Sequence, residues 1–551
     1  MPAKSKSTKQ VKEETYSATQ TKFEAYTGSE PYLFVSYSHR DTAKVYSILN
    51  ELSDKKYRIW YDESCETGND FRDELRHRIE KCSAVVLFVS EASMQSPFCG
   101  MEIIVARENA KKIIPIFLED PSVVPPAFSI LLSNTHHATI ENIDKLMKVM
   151  IRDLPPEAMD RLTVTDDKLE KCEDNGRTIE VNEGVRIIGK GAFQNRKQLH
   201  NISLPNSLET IDEEAFRGCN NLEAMYIPRK TLRIGESAFR DCINMKSLKI
   251  ENKLIKIGER AFENCASLED VTLPEGLTEL YGGVFNSCKS LKTIDLPTSL
   301  TVIGENAFSD CVGLEKITFP DSVTKIDDLV FNGCTNLSSI ELPENLRKIG
   351  KSAFKNCKSL TKVTIPKSVV FIASAPFRGC ENLKTIKVDP KNMHYKSVLN
   401  NDGSKEGSYV LFNKNKSVLI TYPANSDAVQ YDVPDSVTVI SDWAFCDSKK
   451  LSRITLPDSI IEIGEGAFCN CIHLDRIKIP DSVEKIDDCA FRQCVCLEKV
   501  IIPDSVKELG WGVFDGCEDK VVVYCGEGSL AQEYCERNNI KYTILNDEDE
   551  E

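Results

Sequence analysis

Glu102 closes the run Ser96-Pro97-Phe98-Cys99-Gly100-Met101-Glu102, the best placed acid in the chain to do chemistry. Taken alone, a glutamate where a helix begins is a complement to the helix macrodipole. Cys99, three residues earlier, has no histidine partner that would activate a thiol nucleophile. His136 and His137 fall in a later loop and take no role. Ser38 and His39 follow an apolar run, and His39 reads as a solvated loop residue. No metal is expected: there is no Cys-x-x-Cys pair, and Cys469/Cys471 and Cys494/Cys496 lack a second clustered pair. Residues 184–191 and 345–352 partly mimic a phosphate-binding loop. The first ends Gly-Lys-Gly and the second lacks its leading glycine, so both are excluded.

Elements must position these side chains. Over residues 31–155 apolar runs alternate with helical patterns, which implies a parallel sheet flanked by helices. Strands are expected at 33–37, 58–61, 84–90 and 113–118, and helices at 41–53, 71–82 and 101–110. A polar loop, 62–70, separates the second strand from the second helix.

The rest is periodic. Phenylalanine recurs every 23 residues from Phe193 to Phe377, and again from Phe445 to Phe514, giving thirteen copies. One copy reads Leu314-x-x-Ile317-x-Phe319-Pro320-x-Ser322-Val323-x-x-Ile326, followed by Phe331 and Cys334. The Leu-x-x-Ile-x-Phe stretch alternates like a strand with one buried face. Proline ends it, Ile-Gly turns the chain on the opposite wall, and Ala-Phe fills the interior. No copy buries its apolar face alone, so the copies must stack, to a length of roughly 70 Å at one strand spacing per turn. Eleven of the 21 cysteines share one repeat position, from Cys219 to Cys517. They are expected to form a ladder of buried thiols rather than disulfides. The unburied strand positions vary (Ser203, Tyr226, Lys249, Thr272 and onward to Ile501) and carry no catalytic cluster. As a row they are expected to bind a protein or other ligand.

Net charge is −16 without a large basic block, which argues against nucleic acid or an anionic membrane as partner. No apolar run reaches the roughly 18 residues that span a bilayer. Residues 1–30 are polar, with no apolar signal segment, and are expected to be a disordered tail; the protein is read as cytoplasmic. Residues 156–178 are expected to be a charged linker and 546–551 a disordered acidic tail.

Two resemblances follow. Residues 179–545 resemble the BspA-like leucine-rich repeats, with an interruption at 392–422 and a strand–helix–strand cap at 521–545. Many relatives of that family are surface proteins. Residues 31–155 resemble TIR (Toll/interleukin-1 receptor) domains. The likeness rests on Phe34-Val35-Ser36-Tyr37-Ser38-His39-Arg40-Asp41, on Trp60-Tyr61-Asp62-Glu63 with Gly68, on Leu87-Phe88-Val89-Ser90, and on the Ser96–Glu102 run. The implied fold is an α/β flavodoxin-like TIR domain, a parallel sheet with flanking helices, followed by a leucine-rich-repeat β-solenoid.

The TIR resemblance implies two functional classes: scaffolds that only assemble, and enzymes that cleave NAD+ at the nicotinamide–ribose bond. In the enzymes a glutamate at the start of the third helix is catalytic, and Glu102 holds that position. One carboxylate suffices, because nicotinamide leaves neutral and the ribose becomes oxocarbenium-like. Phe98 would then stack on a ring of the substrate and Phe71 line the pocket. Ser38 and His39 would meet phosphate or ribose; relatives carry a basic residue where this chain has Ser38. Asp62, Glu63 and Gly68 would edge a self-assembly contact through which neighbouring TIR copies complete the site. NAD+ enters as substrate, and no cofactor is implied. The expected function is an NAD+ hydrolase or cyclase controlled by ligand-sensing repeats, in defence or signalling. The alternatives are a non-catalytic TIR scaffold and a host-directed effector acting through TIR–TIR contact.

Overall fold

The computed structural model describes residues 20–28, 31–62, 69–120, 122, 124–125, 138–139, 146–147, 150, 154–155, 158, 162–174, 176–250, 256–400 and 407–545, without the side chains of 69–71 and 138–139. They form two compact units, Met1–Arg161 and Leu162–Glu551. The 1–30 and 546–551 tails lie wholly or mostly outside the described residues, as do Cys65, His136 and His137.

The first unit is a five-stranded parallel sheet. Its strands are β1 (Leu33–Ser36), β2 (Ile59–Tyr61), β3 (Ala84–Val89), β4 (Lys112–Phe117) and β5 (Ala138–Thr139), in the order β2-β1-β3-β4-β5. Helices α1 (Thr42–Asp54), α2 (Asn69–Lys81), α3 (Glu91–Met94) and α4 (Pro97–Glu108) make the crossovers. β1 and β3 are wholly buried, which is why they read as unbroken apolar runs rather than alternating ones. Successive strand residues point to opposite faces. Leu33 and Val35 therefore pack with Val45, Ile48 and Leu52 of α1. Phe34 goes to the other face with Trp60, Leu75 and Ile79 of α2, and Ile103 of α4. The Phe34 and Trp60 rings stack at 4.9 Å.

One boundary is corrected. The helix expected at 101–110 begins at Pro97, because Ser96 caps it by accepting from the Cys99 amide and proline occupies its first turn. Glu102 thus lies in the second turn, not at the start, and complementing the macrodipole is not its role.

The second unit is the solenoid. Turns contribute short parallel strands to one wall, as at Lys362–Ile365 pairing Thr385–Val388; at Asp295, Thr318 and Glu341 the wall is held by single-residue parallel bridges instead. The isoleucine of the Ile-Gly position, read as part of a turn, ends a two-residue parallel strand on the other wall, and the chain turns only after it: Lys325–Ile326 pairs with both Val302–Ile303 and Lys348–Ile349. Between the walls the phenylalanines stack, from Phe193–Phe216 at 4.8 Å to Phe491–Phe514 at 5.8 Å. Left-handed residues two places before and after each ladder phenylalanine let the chain double back around it. The later position is filled by Asn195, Gly218, Asp241, Asn264 and their like, types that tolerate that conformation.

The described cysteines are free. The eleven ladder thiols are buried, and each points at the carbonyl of the phenylalanine 26 residues earlier, as Cys311 does to Phe285 at 3.1 Å and Cys334 to Phe308 at 3.1 Å. Burial pushes the Cys311 thiol up to about 12.

Three regions depart from the periodic pattern. From Leu162 onward the expected linker belongs to this second unit: Leu162–Thr165 and Lys168–Cys172 form an antiparallel hairpin, and the second strand pairs with Ile187–Ile188. A polar hairpin covers the first turn, as an open solenoid end requires. The interruption holds the two expected strands, now Ser408–Asn413 and Val418–Thr421, and a third, Tyr395–Asn400, antiparallel to the first of them. Tyr422 continues the aromatic ladder, stacking on Phe445 at 5.0 Å. The cap is Val522–Cys525, the helix Leu530–Asn538 and Lys541–Ile544.

Candidate functional site

At the carboxyl edge of the TIR-like sheet, Glu102 is buried, with 7% of its surface exposed. Ser36 ends β1 on the same face as Phe34, the face that α4 covers. Its Oγ donates to Glu102 Oε2 at 2.5 Å. Ser36 is the partner of Glu102 that the sequence reading passed over. Its signal was a polar side chain ending a strand that is otherwise apolar and buried, where a hydroxyl must find a partner.

The Glu102 carboxyl is raised to about 8: burial raises it most, the Ser36 hydrogen bond lowers it, and the Asp62 carboxylate adds to the rise. Cys99, one turn before it on α4, is raised to about 11 by burial and then by Glu102, which excludes it as a thiolate at neutral pH. Asp62 is half-buried just past β2, and its carbonyl accepts from the Tyr37 hydroxyl at 2.9 Å. Burial, then Tyr46, raise the Tyr37 phenol. Asp41 accepts from the Ser90 hydroxyl at 2.5 Å, tying the end of β3 to the loop after β1.

The expected site residues are placed as follows. Phe98 is 37% exposed, one turn before Glu102 on α4, its ring available at the surface. Ser38 spends its hydroxyl capping a short 3-10 turn, His39–Asp41, by accepting from the Arg40 amide at 3.4 Å. His39 is exposed, its ring 5.2 Å from that of Tyr37. Among the described residues no hydrogen bond or ring contact joins Ser38 or His39 to Glu102 or Phe98. Phe71 belongs to α2, with its side chain outside the description, and Glu63 and Gly68 lie outside the described residues.

The raised carboxyl has a consequence for stability. Between the ordinary carboxyl range and about 8, native Glu102 keeps a proton that the unfolded chain has released. Stability of this unit therefore falls as pH rises through that window, by at most about 5 kcal/mol. Amide exchange in β1 and β3 should quicken from pH 5 to pH 8.5 beyond the intrinsic rate. In Glu102→Gln that extra dependence should vanish; if it persists, Glu102 does not titrate as stated.

On the solenoid the variable strand positions are exposed, apart from Ile501, which is half-buried. A depression of about 660 Å³ lies among them, lined by Lys316, Thr318, Glu341, Lys362, Thr364 and Asp389. Among the described residues no helix is long and apolar enough to cross a membrane, and no cluster of three His, Cys, Asp or Glu is placed to hold a metal ion.

Comparison with known proteins agrees with both units. The family model for the BspA type leucine rich repeat region (6 copies) matches over three ranges, residues 164–292, 255–384 and 424–541. The TIR domain model matches residues 33–148. A leucine-rich repeat protein from Eubacterium ventriosum is 29% identical over 47% of this chain and 67% of its own, with a TM-score of 0.43. One from Bacteroides ovatus is 24% identical over 70% and 91%, with a TM-score of 0.43. A leucine rich cell surface protein from Faecalibacterium prausnitzii is 24% identical over 68% and 94%, with a TM-score of 0.46. No curated protein matches the chain. TIR domains and leucine-rich repeats are both protein-interaction modules, and their combination is that of a signalling- or defence-type protein. The chain belongs to the BspA-type leucine-rich-repeat family and carries a TIR domain before its repeats.

Proposed function

We propose that the TIR domain cleaves NAD+ at the nicotinamide–ribose bond, with Glu102 as the catalytic carboxylate, and that the repeats govern this activity by binding a ligand. The observation that carries the reading is the buried Glu102 carboxyl, hydrogen-bonded to Ser36 at the carboxyl edge of a parallel sheet, where open α/β sheets bind ligands. The pyridinium ring is cationic, and its approach lowers the carboxyl and favours ionisation. As the C–N bond breaks, nicotinamide takes the electron pair and leaves neutral. The positive charge passes to the ribose, which the Glu102 carboxylate faces. Attack by water gives ADP-ribose and a proton; attack by a group of the same nucleotide gives a cyclic product. Ser36 orients the carboxylate. Phe98 offers a ring for stacking, and Ser38 and His39 lie on the loop after β1.

Self-association belongs to this proposal, with Asp62, Glu63 and Gly68 at the contact. The exposed strand row and its depression are the surface offered to the ligand. The full chain, tethered at high density on beads, should release nicotinamide from NAD+ at least about tenfold faster than the dispersed chain, as raised effective concentration demands. Equal rates would sink the clustering requirement. Inert beads that still capture a TIR protein would replace the enzyme with a scaffold.

A further inference from the structure

One residue after each ladder aromatic, the chain passes along the same edge of the solenoid. At the end of its first stretch this position holds Lys355 and Arg378; past the insertion it holds Cys446, Cys469 and Arg492. Cys446 and Cys469 are 23 residues apart, on stacked turns. The turns are held in register by Phe445 N–H to the Ala467 carbonyl at 2.8 Å and Asp447 N–H to the Cys469 carbonyl at 3.0 Å. The rings beside them, Phe445 and Phe468, are 5.1 Å apart. That spacing is within the reach of a disulfide.

These two thiols differ from the eleven in the ladder. They pack in a small cluster with Ala375 and Trp443, apart from the main cores, and Cys469 is half-buried rather than sealed. Arg378 lies over the Trp443 ring, 3.1 Å from its centroid. The Cys446 sulfur lies 3.3 Å from the Asp447 carboxylate. A Cys446 hydrogen bond lowers the Cys469 thiol, against burial and Asp447, with Arg378 and Arg492 helping. The same contact, with burial and Asp447, raises Cys446 and keeps its proton in place. The ladder cysteines have the same 23-residue spacing, but they are buried, point their thiols at phenylalanine carbonyls, and offer a peroxide no approach. Reactivity follows thiolate character and access, so a period shared by all is divided by burial.

We infer that Cys446 and Cys469 are a redox-active dithiol that reacts with hydroperoxides and closes to a disulfide. The Cys469 thiolate attacks one peroxide oxygen. An S–O bond forms, the O–O bond breaks, sulfur gives up two electrons, and the other oxygen leaves as water or an alcohol after taking a proton. The Cys446 sulfur then attacks the Cys469 sulfur. The S–S bond forms as hydroxide leaves and takes up the Cys446 proton as water, with Asp447 placed to pass it. Beside this pair the Lys449–Glu381 ion pair, 2.8 Å long, spans the insertion, so the disulfide adds a covalent tie between turns at the junction of the two repeat stretches.

The test uses the full, reduced chain with one equivalent of hydrogen peroxide, then a peptide map without reductant. The expected first product joins the peptides of Cys446 and Cys469 and weighs two hydrogens less than the reduced pair. Cys446→Ser should leave Cys469 as a sulfenic acid that dimedone traps. Cys469→Ser should slow peroxide consumption by about tenfold, the resolving thiol being protonated. Alanine variants and circular dichroism guard against a folding effect. First oxidation at any other cysteine, or variants that oxidise like the parent chain, would overturn the assignment.

Discussion

Replacing Glu102 by alanine should cut nicotinamide release by the clustered chain about a thousandfold, the scale set by removing one group that faces developing charge in an enclosed site. The loss should fall on kcat, because the carboxylate interacts most strongly with the oxocarbenium-like ribose. Glu102→Gln keeps the shape and the Ser36 contact but not the charge, and should lose nearly as much. The pH profile separates this from a folding defect. With the free carboxyl at about 8, kcat/KM for the parent chain should climb as pH rises through 8 and then level. Stability moves the other way over the same window. An activity that rises while the domain loosens points to ionisation of Glu102, not to better folding. Initial rates of nicotinamide formation by chromatography, from pH 5.5 to 9.5, decide the matter. Parent-like activity in both variants would end the enzyme reading.

Phe308→Ala should be among the most destabilising single changes in the repeats. The side chain is fully buried, with stacked neighbours on both sides, Phe285 and Phe331, each at 5.7 Å. Truncation leaves a cavity that two walls of parallel strands cannot close, at a cost of about 3–5 kcal/mol. In a solenoid each turn touches only its neighbours, so the loss lands on two interfaces and uncouples the stretches on either side. Urea unfolding followed by circular dichroism should split into two transitions. Phe193→Ala, at the ladder's first ring with Phe216 as its stacked neighbour, should lower the midpoint less and leave a single transition. Equal effects at both positions would mean that the ring stack does not carry the coupling.

Much of this was legible because stacking obeys a period. Phe193 through Phe377 sit where they do because each turn must place one ring on the last, and a fixed turn length writes itself into the sequence. β1 and β3 were legible because a strand covered on both faces has no polar alternation. Other elements were not. The Ile-Gly strands are two residues long, and a strand that short exists only because identical neighbours pair with it. The hairpin Leu162–Cys172 is polar and is fixed by backbone pairing to Ile187–Ile188, which composition does not record. The start of α4 was misplaced because apolar periodicity outweighed the Ser96-Pro97 cap, the true boundary signal.

The same division runs through the chemistry. By itself the sequence determined the repeats and the 23-residue separation of Cys446 and Cys469, which follow from spacing, and it pointed to the TIR domain and the position of Glu102 through motifs that resemble that family. Only the tertiary structure decided what those groups are. Glu102 is a raised, Ser36-bound carboxyl because α4 presses it against the even-numbered face of β1, out of water. Cys311 is sealed and Cys469 half-open because one lies between the walls and the other on an edge. Charge and reactivity depend on solvation and on neighbours brought from far along the chain, and neither is written at any single position.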